Sequence, residues 1–403
     1  MSSTTNFSSK STNHMSNETK EECLHDKADF HENTRHNKNH TPKKDKIDIL
    51  LAFGGLSREH NVSIISASNI IPHIDPEKYN LNLLYITKEG KWLLCDKYQF
   101  KTECDFPDEI IPTIKGIPVY LPIGQGKVSH LYSQESGKIA KIDLVLTLLH
   151  GRNGAGGVMN AIWNSVGIPN VGPSMAGGVI GFDKDIMKRL LSEAGLPICR
   201  YELIHQKNYS PSSLKDLKSK FSYPFFIKPA NSGSSLGVHK IYNDQEFYEK
   251  VNDVFLFDNK LIIEEYIDGS ELEIYCYEAE NIIKTSIIRQ TIVGAEYDFY
   301  TFEAKYGTDN ATTNIKKIPA DIPEEDHEKV RQMVIKAYKV LEGRGETRMD
   351  LFYSGQGDIY INEINTVPAL MSRKSQPSLW DGCGISHGMI IDELIASALK
   401  KAD

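Results

Sequence analysis

No two cysteines in this chain are spaced as a metal knuckle or a redox pair. The six, Cys23, Cys95, Cys104, Cys199, Cys276 and Cys383, are scattered through 403 residues. That spacing excludes a disulfide framework and suits a reducing compartment, the cytoplasm. No apolar run approaches the roughly 18 residues of a membrane helix, and no secretory core follows Met1, so no membrane partner is expected. Positive charge is not in surplus either. Lys and Arg number 46 against 54 Asp and Glu, for a net charge of −8, which argues against nucleic acid as a partner. The GxxxxGK[ST] spacing of a P-loop is missing, and the chain carries no internal repeat.

What is present is enough for a core in more than one domain. The length favours two or three domains, and the chain is 40% hydrophobic and 25% charged. Residues 1–45 stand apart: Ser, Thr, Asn, Lys and His dominate, with too few apolar residues to offset the entropy of ordering, and a disordered extension is expected. Its five histidines (His14, His25, His31, His36 and His40) have irregular spacing, which suits a solvated tail better than a metal site. A transit peptide is disfavoured by Glu18, Glu21, Glu22 and Asp26.

Folding is expected from Ile47. Ile49–Phe53 is a short buried-strand run broken by Gly54-Gly55 ahead of a helical segment, Val62–Ile71. Further buried strands at Leu81–Thr87 and Ile142–Leu149 make an α/β arrangement whose loops, 54–60 and 150–157, sit where such folds hold ligands. A helix is expected over Asp183–Ala194, ended by Gly195 and Pro197. Next come a strand ending in Lys228, a Gly/Ser loop (Asn231–Gly237), and a strand over Leu261–Ile267 whose acids continue through Glu271 and Glu273. The loop beside Lys228 suits a cover for phosphates, with a plain hairpin turn as the alternative. Residues 282–294 suggest paired strands, 297–306 a mobile lid, 324–341 a helix with Val330, Met333, Val334, Ala337, Tyr338 and Leu341 on its core face, and 384–399 a closing helix.

The most informative stretch is Arg348–Phe352, a Gly355-Gln356-Gly357 turn, and Ile359–Asn365, which together read as a β-hairpin. Arg348, Asp350 and Phe352 share one face, and Ile361, Glu363 and Asn365 are expected to share one on the return strand. If Gln356 and Gly357 form a two-residue loop, Asp350 lies opposite Glu363 and Arg348 opposite Asn365. Facing carboxylates repel, so the arrangement calls for a cation. Two carboxylates and an amide oxygen suit Mg²⁺ that keeps waters and shares phosphate oxygens. An ordinary amphipathic hairpin with its charges in water is the other reading of the spacing alone.

Together these motifs resemble the D-alanine–D-alanine ligase family of the ATP-grasp superfamily. The resemblance runs over about residues 47–400 through GGLSREHNVS (54–63), LHGRNG (149–154), GFDKDIMK (181–188), FFIKPANSGSSLG (225–237), IIEEYIDGSELE (262–273), EAKY (303–306), RMDLF (348–352) and NEINTVP (362–368). It implies an α/β fold with α+β character, an ATP-grasp fold behind an N-terminal Rossmann-like subdomain at 46–173, with a central subdomain at 174–264 and a C-terminal one, carrying the metal site, at 265–403. It implies ATP and two Mg²⁺ ions as cofactors, with Mn²⁺ as an alternative ion, and a homodimer acting on D-alanine. By motif position, Lys184 and Lys228 would contact the ATP phosphates beneath the Ser234-Ser235 loop. Glu264, Glu265, Tyr266 and Ile267 would supply the adenine edge, Glu271 the ribose contact and Phe352 the adenine floor. Asp350, Glu363 and Asn365 would hold the metal ions. A carboxylate is a poor electrophile, so ATP would first convert it to an acyl phosphate, and a second amino acid would then attack as the free amine. Arg348 would stabilise the oxyanion, Glu59 would hold the ammonium of the first D-alanine with Ser234 and Tyr306 linking it to the lid, and Lys305 would reach the transferred phosphate. Ser63 and His150 join the substrate side by the same implication. Glu59 as a helix cap and His150 as a buried structural residue are the structural alternatives.

Several substrate-side positions depart from the family pattern. Gly154-Ala155-Gly156-Gly157 stands where Gly-Glu-Asp-Gly is usual, Asn61 where glutamate precedes Val-Ser, Ala369 where glycine follows proline, and Lys374, next to Arg373, where a serine would receive the second substrate's carboxylate. Tolerated drift in a D-alanine ligase is one reading, since a lysine also binds a carboxylate. A changed acceptor, such as another amino acid, a hydroxy acid or an amine, is a second, and a catalytically idle ATP-binding homologue is a third.

Overall fold

The computed structural model describes residues 45–96, 114–292, 315–368 and 379–400. The polar extension up to residue 44, the 297–306 lid with Lys305 and Tyr306, and Ala369, Arg373 and Lys374 lie outside the described residues. In chain order the first strands are β1 (Ile47–Gly54), β2 (Tyr79–Ile86), β3 (Trp92–Cys95), β4 (Gly116–Pro118), a side hairpin of β5 (His130–Ser133) and β6 (Gly137–Lys141), then β7 (Leu144–Thr147) and β8 (Asn170–Val171). They form a sheet of order β4-β3-β2-β1-β7-β8, with β5 and β6 paired apart from it. The centre is parallel, β1 lying between β2 and β7. This explains the unbroken apolar run at Ile49–Phe53, because a central parallel strand is covered on both faces. Ile49, Leu51 and Phe53 enter one core and Leu50 and Ala52 the other. At its end β1 turns sharply at Gly54, where φ is +90° and a Cβ would lie 2.3 Å from the Ile86 carbonyl oxygen, so only glycine fits. Helix α1 (His60–Ile70) follows.

Helices α2 (Val158–Ser165), α3 (Met175–Phe182) and α4 (Lys184–Glu193) lead to the second sheet. Asp183 caps α4, its carboxylate accepting from the main-chain N–H groups of Asp185 and Ile186. The second sheet, β11-β10-β12-β9, is antiparallel throughout and contains β9 (Tyr201–His205), β10 (Phe225–Pro229), β11 (His239–Ile241) and β12 (Lys260–Glu265). Helices α5 (Ser213–Lys220) and α6 (Asp244–Phe255) cover one face, packing Leu214, Leu217, Phe247 and Val251 on Phe225, Ile227 and Ile263. The strand expected over Leu261–Ile267 ends at Glu265.

The third sheet, β16-β15-β13-β17-β18 with β14 also on β13, uses β13 (Gly269–Ala279), β14 (Ile282–Thr285), β15 (Arg289–Ile292), β16 (Ile315–Lys317), β17 (Thr347–Ser354) and β18 (Ile359–Asn365). The strands expected to pair within 282–294 do not pair with each other. Both pair with successive parts of the long strand β13. Helix α7 (Glu324–Val340) buries Val330, Met333, Val334, Ala337 and Tyr338 against Met349, Leu351 and Ile361, the face read from its periodicity. Helix α8 (His387–Lys400) returns to the first sheet, placing Ile391, Ile395 and Ala398 in the core of Ile49 and Leu51. Cys95, Cys199 and Cys276 are free and buried.

The central hairpin reaches the expected pairing by a different route. Gly355–Gly357 form a three-residue turn, with the Ser354 N–H donating to the Asp358 carbonyl at 2.9 Å and Gly357 at φ +87°. The offset from a two-residue loop is recovered by a bulge, since Leu351 faces Ile361 while Asp350 faces Glu363, leaving Asn362 as the extra residue. The bulge also changes the phase of β18. Ile361 lies in the core with Met349 and Leu351, so it does not share the face of Glu363 and Asn365 as alternation alone implied.

Glu346, just before β17, accepts a hydrogen bond from the Trp380 indole at 2.7 Å, and burial pushes its carboxyl up to about 7 against that bond. A folded-state value above the unfolded one means that the stability Glu346 contributes is present below its unfolded value and is lost as pH rises towards 7. Glu346→Gln keeps an acceptor for Trp380 and cannot ionise. In denaturant melts the variant should gain up to about 3 kcal/mol on the wild type between about pH 5 and pH 8. A difference that stays constant with pH would remove Glu346 as the cause.

Candidate active site

Three strands bring the charged residues together. Across β13, β17 and β18 the pairing runs Glu273–Asp350–Glu363, flanked by Tyr275–Arg348–Asn365 on one side and Glu271–Phe352–Tyr360 on the other. Arg348 clamps Asp350 with two parallel hydrogen bonds, Nε to Oδ1 at 2.6 Å and a terminal nitrogen to Oδ2 at 2.7 Å. The Asn365 amide adds a bond to Asp350 Oδ2 at 3.2 Å. Burial pushes the Asp350 carboxyl up, Arg348 pulls it down, and Glu273 and Glu363 add to the push. That balance favours a further cation beside Asp350. Glu273, unassigned by sequence reasoning, is paired with Arg289 and has Arg348 Nε at 3.8 Å.

Among the described residues no three His, Cys, Asp or Glu side chains converge as a self-sufficient metal site. Asp350, Glu363 and the Asn365 amide offer two carboxylates and one further oxygen. That is an incomplete set of hard oxygens, which fits Mg²⁺ sharing its remaining positions with water and phosphate.

The lysines sit at the edge of this row. Lys184 Nζ donates to the Ser232 carbonyl at 2.6 Å and lies 3.4 Å from Glu363. Burial lowers its pKa, with Glu363 opposing. Lys228 pairs with Glu264 and also donates to the Asn362 side chain, the bulge residue, at 3.2 Å. Burial works against its charge, but Glu264 and Glu363 outweigh it and raise its pKa. Glu264 is buried between Lys228 and Lys188, whose charges hold its carboxyl below the usual range despite burial. The side chain of Glu264 is therefore a counter-ion to two lysines. Glu265 accepts from the Arg200 main-chain N–H at 2.6 Å, and Tyr266 lies beneath Lys240, 4.0 Å from its ring centre.

Loops from the first and second sheets close the site. Ser234 Oγ donates to Glu59 Oε1 at 2.6 Å across 175 residues of chain. Glu59 stands at the N-terminus of α1, but its side chain makes no capping bond. Ser234 and Ser235 both have positive φ, +53° and +57°, a strained conformation of the kind that clusters at functional sites. His150 is 5% exposed, and its Nε2 has no hydrogen-bond partner among the described residues. Burial lowers its pKa, opposed by Glu59 and the Val367 main chain and assisted by Arg348. The neutral imidazole thus lies within electrostatic reach of both Glu59 and Arg348, holding a buried polar atom ready for a ligand. Thr366 Oγ1 donates to the Ala155 carbonyl at 2.8 Å, tying the altered 154–157 loop to the end of β18. Ser63 differs from these, because its hydroxyl is committed to the main chain, accepting from Gly54 N at 2.8 Å and donating to the Leu148 carbonyl at 2.6 Å.

Residues 46–173 match the family described as D-ala D-ala ligase N-terminus, and residues 190–396 match D-ala D-ala ligase C-terminus. The chain belongs to the D-alanine–D-alanine ligase family. It is 36% identical to the D-alanine–D-alanine ligase of Oceanobacillus iheyensis over 89% of this chain and 96% of that one. It is 32% identical to D-alanine–D-alanine ligase A of Salmonella typhimurium over 88% and 96%. Among solved structures, the VanG D-Ala:D-Ser ligase of Enterococcus faecalis superposes with a TM-score of 0.75 at 29% identity, over 88% of this chain and 100% of that one. The fold is therefore ATP-grasp, and the chain is an ATP-dependent ligase of this family. Lys188, Glu273 and Asn362 are site neighbours without an assigned role in the motifs that contain them, and only the folded contacts reveal what they touch.

Ser63→Ala would leave the Gly54 N–H and the Leu148 carbonyl without their side-chain partner. The variant is expected to lose roughly 1–3 kcal/mol of stability, read by denaturant melts, while kcat at substrate saturation stays near wild type. A fall in kcat with unchanged stability would instead make Ser63 a substrate contact.

Proposed function

We propose that this ligase joins two D-alanines, activating the carboxylate of the first as an acyl phosphate at the expense of ATP and releasing ADP and phosphate. The observation that supports the reading is the cross-strand row of Asp350 facing Glu363 and Arg348 facing Asn365, with Lys184 beside it. Bound there, ATP with two Mg²⁺ ions would supply the transferable phosphoryl group and neutralise its oxygens. Asp350, Glu363 and Asn365 would hold the metal, with Lys184 and Lys228 on the phosphates under Ser234 and Ser235. Glu264 to Ile267 would edge the adenine, with Phe352 as its floor and Glu271 on the ribose. Glu59 would take the ammonium of the first D-alanine, His150 would border it, and Arg348 would face the oxyanion formed when the second amine attacks. Lys305 and Tyr306 would complete the chemistry, and Ala369 and Lys374 the acceptor side. We assign the three sheets to subdomains divided near residues 173 and 264, and expect a cytoplasmic homodimer.

A different acceptor is the second reading. It is favoured by likeness to a D-Ala:D-Ser ligase and by the uncharged Gly154–Gly157 loop. Phosphate release from Mg²⁺-ATP with D-alanine alone, and a product with the mass of D-alanyl-D-alanine, is the expected result. Release only with a second compound moves the assignment to the acceptor named by the product mass. Asp350→Asn should lower kcat by at least roughly a hundredfold and weaken Mn²⁺ binding measured by electron paramagnetic resonance. Unchanged Mn²⁺ affinity would take Asp350 out of the metal set.

A further inference from the structure

Arg58 and Glu59 are adjacent in the loop after β1, yet Glu59 meets the glycine-rich segment that follows β10 and Arg58 meets the chain just before β12. Glu59 accepts from Ser234 at the tip. The Arg58 guanidinium lies over the Phe257 ring, 4.9 Å from its centre. Phe257 and its neighbour Asp258 form the base of the loop and reach both of its ends. Asp258 accepts from the Asn231 main-chain N–H at 2.7 Å and from the Asn231 amide at 2.9 Å. At the other end, a Cβ on Gly237 would lie 2.8 Å from a Phe257 ring carbon, so glycine is what lets the ring lie flush against the chain.

From the first sheet's side, Glu59 meets the loop at its tip through one hydrogen bond, while Lys184 and Asp258 hold it from within its own half of the molecule. A second contact at its base fixes orientation as well as distance. Transfer between a bound carboxylate and a phosphoryl group requires that kind of registration, because small displacements of a reacting group cost large factors in rate.

We propose that Arg58 and Phe257 are positioning residues: their cation–π contact registers the amino-acid loop against the phosphate loop. This rests on the ligase reading, in which Glu59 holds the first amino acid and the 231–237 loop covers the phosphates. The contact acts at the junction of the two substrates. Its loss therefore reduces the registered fraction of the enzyme for both by the same factor.

The test is a double-mutant cycle of Arg58→Gln and Phe257→Leu, where leucine keeps apolar bulk against Gly237. Each single variant should lower kcat/KM for ATP and for D-alanine alike, by roughly two- to fivefold for a part-exposed cation–π contact, with an unchanged melting temperature. The double variant should be no worse than the weaker single, and Arg58→Lys and Phe257→Tyr should restore most of the activity. Multiplying rather than shared losses, or wild-type values in the single variants, would overturn the proposal. If the wild type gives no D-alanine-dependent phosphate release, the ligase reading fails by itself. Calorimetric binding of Mg²⁺-ADP to the same four proteins then decides the contact, shared weakening supporting it and additive or absent weakening refuting it.

Discussion

The third sheet is built around a repulsion. Asp350 faces Glu363 on one side and Glu273 on the other, and carboxylates set side by side across strands destabilise a sheet. The fold answers with one base for each acid: Arg289 on Glu273, Arg348 on Asp350 and Lys184 beside Glu363. The opposite face anchors the same strands in an apolar core through Met349, Leu351 and Ile361. Binding energy on the core face thus holds a charged row in place on the other, the row to which we assign the metal.

The lysines follow the same logic in the second sheet. Glu264 is buried between Lys188 and Lys228, and mutual attraction compensates the loss of water around all three. Pairing fixes where Lys228 lies, bonded to Glu264 on β12 and to Asn362 on β18, while Lys184 stands beside Glu363 on β18. Removing Glu264 would leave two buried ammonium groups without their carboxylate, which links the integrity of this sheet to the charge balance of the site.

The first sheet contributes its loops at the ends of β1 and β7, where parallel strands place ligand-facing segments. Its distance from the charged row is set by α8, which leaves the third sheet and packs Ile391 and Ile395 into the core of the first, and by Glu59 and Arg58 meeting the 231–237 loop and its base. No sheet holds the site alone. Among the described residues the buried His150 Nε2 has no hydrogen-bond partner, and its ring feels the charges of both Glu59 and Arg348.

The ingredients are legible in the chain: the buried β1 run, the core face of α7, the opposed Asp350 and Glu363, and the family to which the motifs belong. Those features depend on residue type and short spacing, and alternation or helical periodicity records them directly. How they combine depends on contacts made in the folded chain. The three-residue turn and the bulge at Asn362 compensate each other, so the expected Asp350–Glu363 pairing appears although the loop differs and Ile361 changes face. Ser63, Glu264 and Lys188 read as site residues or go unnoticed in a linear motif. Their partners lie 9 to 85 residues away for Ser63 and 36 for the Glu264–Lys228 pair, so whether a side chain is free for a substrate depends on contacts that only folding makes.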